Sequence, residues 1–246
     1  MANAGKMRLD QLLVTRELAE SREKAQALIM AGEVLVNGNT VIKAATMVSV
    51  ESEIDIKHPL MYVSRGGHKL EKALKVFNIN LKNKTCLDVG ASTGGFTDCL
   101  LKHGAKKVYC IDVGHGQLDV KLRFDPRVIN IEETNIRYCE KNIVPETPDL
   151  ATIDVSFISL ERVLPVVYKL IKQEGEIIAL IKPQFEAGPK NVGKGGVVRD
   201  PAMHEKIIDR ITVFSQINAM EVKGVTESPL IGPAGNKEFL IYMVKS

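Results

Sequence analysis

This chain of 246 residues has few cysteines, no long apolar run and only a small excess of positive charge. The four cysteines form no Cys-x-x-Cys pair, and no histidine stands at zinc-ligand spacing, so we expect reduced structural thiols and no metal site. No stretch approaches the roughly 18 consecutive apolar residues that a membrane helix requires. The start of the chain has no apolar segment typical of a signal peptide. We therefore expect a cytoplasmic protein that is not embedded in a membrane.

The net charge of +3 is too small to identify a polyanionic partner, so the distribution of charge along the chain has to be considered. Hydrophobic residues make up 45% and charged residues 26%, which is typical of globular proteins and argues against disorder. The length suits one large domain, or a small domain and a medium one. Nothing in the sequence indicates an obligate protein partner.

The first part of the chain has the pattern of a small α+β domain. Apolar residues at helical spacing predict helices over residues 7–14 and 21–30, with Ser21 as the N-cap of the second. Residues 34–41 predict a strand, an Asn-Gly turn and a second strand, and a further strand is expected near 48–56. We place this domain at residues 1–57, a linker at 58–63 and a second domain at 64–246.

This order of elements resembles the S-four type of RNA-binding domain. The resemblance rests on Arg8-Leu9-Asp10, on Lys24-Ala25, and on Gly32 followed by the strand and its turn. It implies that the helical pair presents cations to RNA phosphates; alternatively, these are solvated charges offset by nearby acids. Residues 61–84 form the densest basic run of the chain and are a second plausible nucleic-acid surface. The candidate RNA contacts are Arg8, Arg16, Arg22, Lys24 and Arg65.

From residue 85 onward, apolar strands alternate with amphipathic helices, after a helix predicted from Ser64 to Phe77. This alternation predicts a Rossmann-like α/β domain with a mostly parallel seven-stranded sheet, whose last two strands form an antiparallel hairpin at its edge. The strands are expected at residues 85–90, 107–113, 127–133, 150–155, 175–182, 221–227 and 237–245, and the helices near 94–103, 159–173 and 201–218.

The first strand of this domain runs into a glycine-rich turn, where such sheets bind ligands. The spacing Asp88-x-Gly90-x-x-x-Gly94-Gly95 differs from the Gly-x-Gly-x-x-Gly of dinucleotide sites, and it suits S-adenosylmethionine better than a nucleotide or a purely structural turn. Asp112 ends the next strand and could accept the ribose hydroxyls. The candidate cofactor contacts are Asp88, Gly90, Ala91, Ser92, Gly94, Gly95, Phe96, Asp112, Glu133 and Asp154, with Glu132 and Asn135 also placed near the adenine.

Residues after the fourth and fifth strands indicate the acceptor atom. The segment after the fourth strand, which starts at Asp154, lacks the proline-aromatic motif of amine methyltransferases. Neither this segment nor the one after the fifth strand has the cysteine needed to methylate a pyrimidine carbon, so oxygen is the expected acceptor. Lys182 lies in an apolar context, where desolvation and a second cation would lower its pKa toward that of a usable base. Lys69, Asp154 and Glu238 could surround it; alternatively, each forms an ordinary salt bridge or is solvated.

Lys69, Asp154, Lys182 and Glu238 resemble the catalytic Lys-Asp-Lys-Glu tetrad of FtsJ-type ribose methyltransferases. Residues 154–159 and 228–238 are similar to the TlyA family, which joins an S-four domain to an FtsJ-like domain. The resemblance implies S-adenosylmethionine-dependent 2′-O-methylation of a cytidine in ribosomal RNA, with ribosomal RNA or ribosomal subunits as partners. Thr93 and the Asp-Val-Ser-Phe segment depart from many FtsJ enzymes but fit the TlyA branch. A haemolysin or membrane-active protein, and a non-catalytic ribosome-assembly factor, are the competing hypotheses.

Overall fold

The computed structural model describes residues 5–19, 21–57 and 61–246. Contacts between Cα atoms divide the chain into two compact units, Met1–Ser64 and Arg65–Ser246. Residues 58–60, the first half of the linker predicted at 58–63, lie outside the described residues.

The first unit consists of two helices and two small antiparallel sheets. Strand β1 pairs with β4, and β2 lies between β3 and β5. The elements are β1 (Lys6–Arg8), α1 (Leu9–Thr15), α2 (Arg22–Met30), β2 (Val34–Val36), β3 (Asn39–Thr40), β4 (Met47–Ser49) and β5 (Ile54–Ile56). The side chain of Ser21 accepts a hydrogen bond from Lys24 N, so the predicted N-cap of α2 is confirmed.

Two predictions in this unit were wrong. The helix expected from Met7 begins only at Leu9, because Met7 pairs with Val48 in the β1–β4 ladder. The strand expected over 48–56 is two strands, because a turn in which Ser52 N donates to Ser49 O (3.0 Å) redirects the chain between them. Strands of three residues are too short to show a clear alternation in the sequence.

A buried carboxylate organises the helical pair of this unit. Asp10 is fully buried, and its oxygens accept hydrogen bonds from Arg8 (2.7 and 2.9 Å), Arg22 Nε (3.0 Å) and Gln26 Nε2 (2.9 Å). The bonds from Arg8, joined by those from Gln26 and Arg22, hold the pKa of Asp10 well below its usual range despite burial. Asp10 therefore fixes both arginines and joins α1 to α2.

The second unit is a three-layer α/β domain. Its elements are α3 (Gly66–Val76), β6 (Thr85–Val89), α4 (Gly95–Lys102), β7 (Lys107–Ile111), α5 (Val120–Arg123), β8 (Val128–Ile131), β9 (Leu150–Ile153), α6 (Leu164–Leu170), β10 (Glu176–Ile181), α7 (Pro183–Glu186), α8 (Pro201–Ile217), β11 (Met220–Glu227) and β12 (Phe239–Lys245). Short 3-10 helices at Ile136–Tyr138, Lys141–Ile143, Leu160–Arg162, Pro189–Asn191 and Pro233–Gly235 interrupt the connecting segments.

The described residues of this unit form a seven-stranded sheet in the order β11-β12-β10-β9-β6-β7-β8. Strands β6 to β10 run parallel, and β12 is antiparallel to both of its neighbours, which confirms the predicted fold class and edge hairpin. The strand order reverses between β6 and β9, and such reversals are where open α/β sheets bind ligands at the carboxyl ends of their strands. The parallel strands β6, β7, β9 and β10 are almost wholly buried, which explains their continuous apolar sequences, whereas β8, the last strand of the sheet, is buried only at Val128.

Several element boundaries in this unit differ from the prediction. The helix expected over 159–173 is a 3-10 turn at Leu160–Arg162 followed by the shorter α6, and the strands expected over 107–113 and 127–133 end at Ile111 and Ile131. The residues that follow these two strands belong to loops that are stabilised by hydrogen bonds, so they do not continue the sheet. The helices α5 and α7 were not predicted, because four residues carry no recognisable period. Among the described residues, no helix has the length and apolar character needed to cross a bilayer.

We expect Asp10→Ala to loosen the helical pair, because the substitution removes the shared acceptor of two arginines and a glutamine. The free energy of opening α1 and α2 should fall by about 1–3 kcal/mol, the range for lost hydrogen bonds to charged groups. Hydrogen exchange of the full chain measures this, with peptides from Arg65–Ser246 as an internal reference. The matched control is Asp55→Ala, at an exposed position of β5. Equal protection of α1 and α2 in wild type and Asp10→Ala would contradict the role assigned to Asp10.

Candidate active site

The glycine-rich loop after β6 is shaped by a close approach to the strand beside it. Gly90 has φ +83°, and a Cβ at this position would lie 2.6 Å from the carbonyl oxygen of Asp154. Ser92 N donates to Asp112 Oδ2 (2.8 Å), and Gly114 N donates to Asp112 Oδ1 (2.7 Å). The half-buried Asp112 carboxylate is therefore held at the mouth of the loop. Each oxygen retains a lone pair for a further donor, such as a ribose hydroxyl.

The far end of the same loop packs against the segment after β7. Gly94 has φ +93°, and a Cβ there would clash with the side chains of Leu122 (2.2 Å) and Leu118 (2.8 Å). Ala91, Gly95 and Phe96 are buried, whereas Ser92 is exposed. The predicted cofactor residues of the loop therefore divide into a buried framework and an exposed rim. A backbone loop of this kind lets a ligand lie directly on the main chain.

Asp88 lies beneath the loop. It is fully buried, and its two oxygens accept hydrogen bonds from the hydroxyls of Thr97 (2.6 Å) and Thr152 (2.9 Å). Burial raises the pKa of Asp88 to about 6, opposed by the two threonine bonds and assisted by the charge of Asp154. Thr97 and Thr152 were missed from the sequence, although Thr152 is the residue of β9 that pairs with Asp88 in the sheet.

The residues expected near the adenine lie after β8. Glu133 is exposed, has φ +53°, and its amide donates to Gly114 O (3.1 Å). The neighbouring Glu132 is more buried and lies within 3.4 Å of both His115 and Arg123. Asn135 caps the following 3-10 helix through Arg137 N (3.1 Å). Glu133 thus stays next to the Asp112 loop, while Glu132 and Asn135 have structural partners.

Four elements bring the predicted catalytic residues to one edge of the sheet. Asp154 and Lys182 directly follow β9 and β10, and Glu238 directly precedes the antiparallel β12, whose first residue Phe239 pairs with Ile181. Lys69 lies on α3. The carboxyl ends of parallel strands meet at the same edge, so three of these positions follow from topology.

Lys182 and Asp154 form the first of two ion pairs at this edge. Lys182 Nζ lies 2.6 Å from Asp154 Oδ1 and 3.0 Å from Ser156 Oγ, and its side chain is 11% exposed. The ammonium is thus held by a carboxylate and a hydroxyl with little access to bulk water. Ser156 was not among the predicted site residues, although it lies in the segment that carries Asp154.

Lys69 and Glu238 form the second pair, and it is the more deeply buried. Lys69 Nζ donates to Glu238 Oε2 (2.6 Å), and the Glu238 side chain has no exposed surface. A Cβ on Gly232 would lie 2.2 Å from Glu238 Oε1, so only glycine leaves room for this carboxylate. Among the described residues, Glu238 Oε1 is a buried acceptor without a hydrogen-bond donor. That oxygen therefore keeps an unused lone pair inside the protein, next to the oxygen that holds Lys69.

The loop after β9 carries an exposed aromatic ring and is held in place by a buried carboxylate. Phe157 has φ +62° and is 90% exposed, with its ring 4.9 Å from the ring of Phe185. The buried Glu186 accepts hydrogen bonds from Ser159 Oγ and Leu160 N, both at 2.7 Å. Arg210 Nη2 also donates to Glu186 (2.9 Å). This anchor joins residues 24 or more positions apart, so no local pattern revealed it.

The candidate RNA-binding cations are not equally available. Arg8 and Arg22 hold Asp10, although both remain partly exposed. Arg16 donates to two backbone carbonyls, Ser52 O (2.7 Å) and Val50 O.

Lys24 and Arg65 complete this set. Lys24 is partly exposed on α2, and Arg65 is exposed at the start of α3. Within the basic run that contains Arg65, Lys75 pairs with Glu71 (2.6 Å) and Lys84 with Glu176. These two positive charges of the run are therefore neutralised by acidic residues of the same chain.

The cysteines are free thiols, three of them buried. Burial raises the pKa of Cys86 to about 12, and it raises that of Cys110 as well, so both are poor nucleophiles and poor metal ligands. Across residues 5–19, 21–57 and 61–246, no group of three or more His, Cys, Asp or Glu side chains could hold a metal ion.

The raised pKa of Asp88 predicts a pH-dependent stability. The folded chain binds this proton more tightly than the unfolded chain, so the free energy of unfolding falls as the pH rises from 3.8 to about 6. Asp88→Asn keeps the size of the side chain and has no proton to release. The stability of the variant minus that of wild type should therefore increase by about 3 kcal/mol across this interval. Denaturant unfolding of both proteins from about pH 4 to about pH 7 measures it; a difference independent of pH would refute the assignment.

The chain was compared with known families and proteins. The FtsJ-like methyltransferase family model matches residues 62–245, and the S4 domain model matches residues 7–54. A candidate rRNA methyltransferase of Bacillus subtilis (strain 168), YqxC, is 50% identical over 97% of this chain and 85% of the relative. The 16S/23S rRNA (cytidine-2'-O)-methyltransferase TlyA of Mycobacterium tuberculosis (strain ATCC 25618 / H37Rv) is 43% identical over 98% of this chain and 90% of the relative.

A solved structure from Streptococcus thermophilus, provisionally described as a hemolysin, has a TM-score of 0.79 and 44% identity, covering 99% of this chain and 90% of that one. The family model covers the whole sheet with both ion pairs, and the S4 model covers the helical pair with its buried aspartate. The chain therefore belongs to the FtsJ-like methyltransferase family and, within it, to the TlyA group.

Proposed function

We propose that this protein transfers a methyl group from S-adenosylmethionine to the 2′-hydroxyl of a cytidine in ribosomal RNA. The observation that carries the proposal is the presence of two largely buried ion pairs, Lys182–Asp154 and Lys69–Glu238, at the carboxyl edge of the sheet that also bears the glycine-rich loop. The names of the relatives support the substrate, and the family supports the reaction class. A ribosomal substrate places the activity in the cytoplasm.

The loop after β6 fits an adenosyl ligand. S-adenosylmethionine would supply a methyl group bonded to a positively charged sulfur, which makes the methyl carbon electrophilic. The main chain at Gly90 and the exposed Ser92 would receive the ligand, and Asp112 would accept its ribose hydroxyls. Asp88 would act from below, by fixing the loop through its two threonines rather than by touching the ligand. Asp154 adjoins the loop through Gly90 and so belongs to both halves of the site.

The ion pairs provide what a ribose oxygen needs as a nucleophile. A 2′-hydroxyl is a very weak acid, so its attack requires a group that takes the proton or stabilises the negative charge. As an amine, Lys182 would accept that proton; as an ammonium held by Asp154 and Ser156, it would stabilise the charge on oxygen. Lys69 would provide a second cation, held in place by the buried carboxylate of Glu238.

Phe157 would position the acceptor nucleotide. Its ring is almost entirely exposed, although the residues shortly after it, Ser159 and Leu160, are anchored by the buried Glu186. A base can stack on an exposed aromatic ring, and such stacking contributes about 1–3 kcal/mol per base. Phe157 is two residues after Val155 and directly follows Ser156, whose hydroxyl accepts a hydrogen bond from Lys182. A nucleotide stacked on the Phe157 ring would therefore have its ribose close to the ion pairs.

The N-terminal unit would increase the affinity for RNA without taking part in the chemistry. Arg8 and Arg22 are fixed by Asp10 yet keep 35% and 47% of their side chains exposed. Fixed, partly exposed guanidinium groups suit phosphates, because little side-chain freedom remains to be lost on binding. Within this unit Lys24 would add a further positive charge, and Arg16 would contribute mainly by bracing the turn after β4. Arg65, the first residue of the second unit, would add one more positive charge there.

We expect Lys182→Ala to lower the rate of methyl transfer by about 100-fold or more, with cofactor affinity little changed, because the lysine faces the acceptor. Lys182→Arg should not restore the rate, since a guanidinium cannot act as a base and does not mimic a point charge. The measurement is single-turnover methyl transfer to saturating rRNA, which separates chemistry from binding.

The matched control for this experiment is Lys172→Ala. Lys172 forms an ion pair of the same length with Asp149 (2.6 Å), but at the opposite end of β9. It should leave the single-turnover rate unchanged. A Lys182→Ala enzyme with a near-normal rate would refute the catalytic role and leave a structural ion-pair network.

We expect a shortened chain, residues 61–246, to bind cofactor normally and rRNA more weakly. The logarithm of the RNA-binding constant should depend less steeply on the logarithm of salt concentration, by about 0.7–0.9 for each phosphate contact that is lost. Calorimetry with cofactor and filter binding with rRNA measure the two affinities. Equal RNA affinity in the shortened and full chains would assign the N-terminal unit another role.

A further inference from the structure

A loop that the predicted site does not include lies between α7 and α8, at residues 188–199. It contains the 3-10 helix Pro189–Asn191 and a tight turn in which Gly196 N donates to Gly193 O (3.0 Å), closed by a bridge between Gly193 and Val197. The loop begins six positions after Lys182 and is therefore tied to the carboxyl edge of the sheet.

The charged residues of this loop are all positive. Lys190, Lys194 and Arg199 are all exposed, and the sequence has no acid between Glu186 and Asp200. In the part of the chain that the structure describes, none of these three cations forms an ion pair. The Arg199 guanidinium folds back to the turn, within 3.9 Å of the position that a Cβ on Gly193 would occupy. By contrast, the lysines of the basic run that pair with Glu71 and Glu176 are neutralised locally.

The base of the loop is anchored to the segment that carries Glu238. Asn236 is 2% exposed; its Oδ1 accepts from Val198 N (3.0 Å), and its Nδ2 donates to Gly196 O (2.9 Å). His204 Nε2 lies 2.9 Å from Val198 O and holds the same stretch from α8. Because Asn236 is two residues from Glu238, the loop is fixed next to the acceptor side of the site. The sequence thus builds a rigid support under an exposed, positively charged tip.

The glycines of the loop are explained by backbone conformation and not by packing. Gly188, Gly195 and Gly196 have φ between +73° and +81°, and nothing lies within 4 Å of the Cβ that another residue would add. The main chain of the tip is therefore open on its outer side. The amides of Gly193 and Gly196 are used within the turn, so a phosphate approaching this open side would meet the flanking exposed lysines rather than these two amides.

We propose that residues 188–199 form a phosphate-binding loop that holds the RNA backbone next to the acceptor nucleotide. The proposal rests on the proposed function for the identity of its ligand, and it adds a contact outside the N-terminal unit. Lys190 and Lys194 neutralise phosphates, while the anchor at Asn236 keeps them in register with Glu238. The loop thereby contributes to substrate binding and not to the chemical step.

The test is the double substitution Lys190→Gln/Lys194→Gln in the full chain, with 16S and 23S rRNA transcripts as probes. Each lost phosphate contact lowers the slope of log K against log salt by about 0.7–0.9, so the double variant should show a slope lower by about 1.4–1.8. The KM for rRNA should rise, whereas kcat and cofactor affinity should stay as in wild type. The matched control is Lys106→Gln/Lys169→Gln, which makes the same change in charge at exposed positions near the start of β7 and the end of α6.

The possible outcomes separate this proposal from the one it rests on. A double variant with the wild-type slope and KM, in an enzyme that binds and methylates rRNA, would overturn the loop assignment alone. A fall in slope equal to that of the control variant would also overturn it, because the effect would then reflect net charge. A wild-type chain that fails to bind either transcript would overturn the loop and the proposed substrate together. A selective loss of slope would support the loop even if the modified nucleotide were not a cytidine.

Discussion

The backbone contact between Gly90 and Asp154, where the strand order of the sheet reverses, constrains the whole candidate site. A Cβ at Gly90 would lie 2.6 Å from the carbonyl oxygen of Asp154, while Asp154 N donates to Val89 O (2.9 Å). No side chain fits between the two segments. The loop that would hold the cofactor is therefore fixed against the carboxylate that holds Lys182. The distance over which a methyl group would travel is set by main-chain packing and does not depend on flexible side chains.

The two buried ion pairs are better explained by chemistry than by stability. Removing two charges from water offsets much of their attraction, so buried pairs are often no more stabilising than apolar residues would be. Glu238 is 1% exposed and leaves one oxygen without a donor among the described residues, an arrangement that costs free energy. The same arrangement is useful where negative charge develops on a reacting oxygen. Preoriented cations in a site with little water stabilise such charge far more effectively than they could in solution.

The sequence predicted those parts of the molecule that follow from local pattern and topology. Continuous apolar runs identified the buried parallel strands, and the positions of Asp154 and Lys182 at the ends of the fourth and fifth strands, with the resemblance to the FtsJ tetrad, indicated that the two residues belong to one site. Contacts between distant residues were not predictable in this way. Nothing near Asp88 in the sequence indicates that Thr97 and Thr152 would turn its carboxylate inward, nor that Glu186 would anchor the loop after β9. The last two residues of β1, Met7 and Arg8, were taken for helix because their partners in β4 lie 39 or more positions further along the chain.

If the side chains at this edge of the sheet methylate a ribose oxygen, ribosomal RNA carries the product as a 2′-O-methyl group. Mapping the 2′-O-methyl positions of ribosomal RNA therefore tests the proposed activity most directly. Ribosomal RNA would be taken from cells that lack the gene and from the same cells expressing either the wild-type chain or Lys182→Ala. We predict at least one 2′-O-methylcytidine that is present with the wild-type chain, absent without the gene, and absent or strongly reduced with Lys182→Ala. An identical set of 2′-O-methyl positions in all three RNA samples would contradict the account.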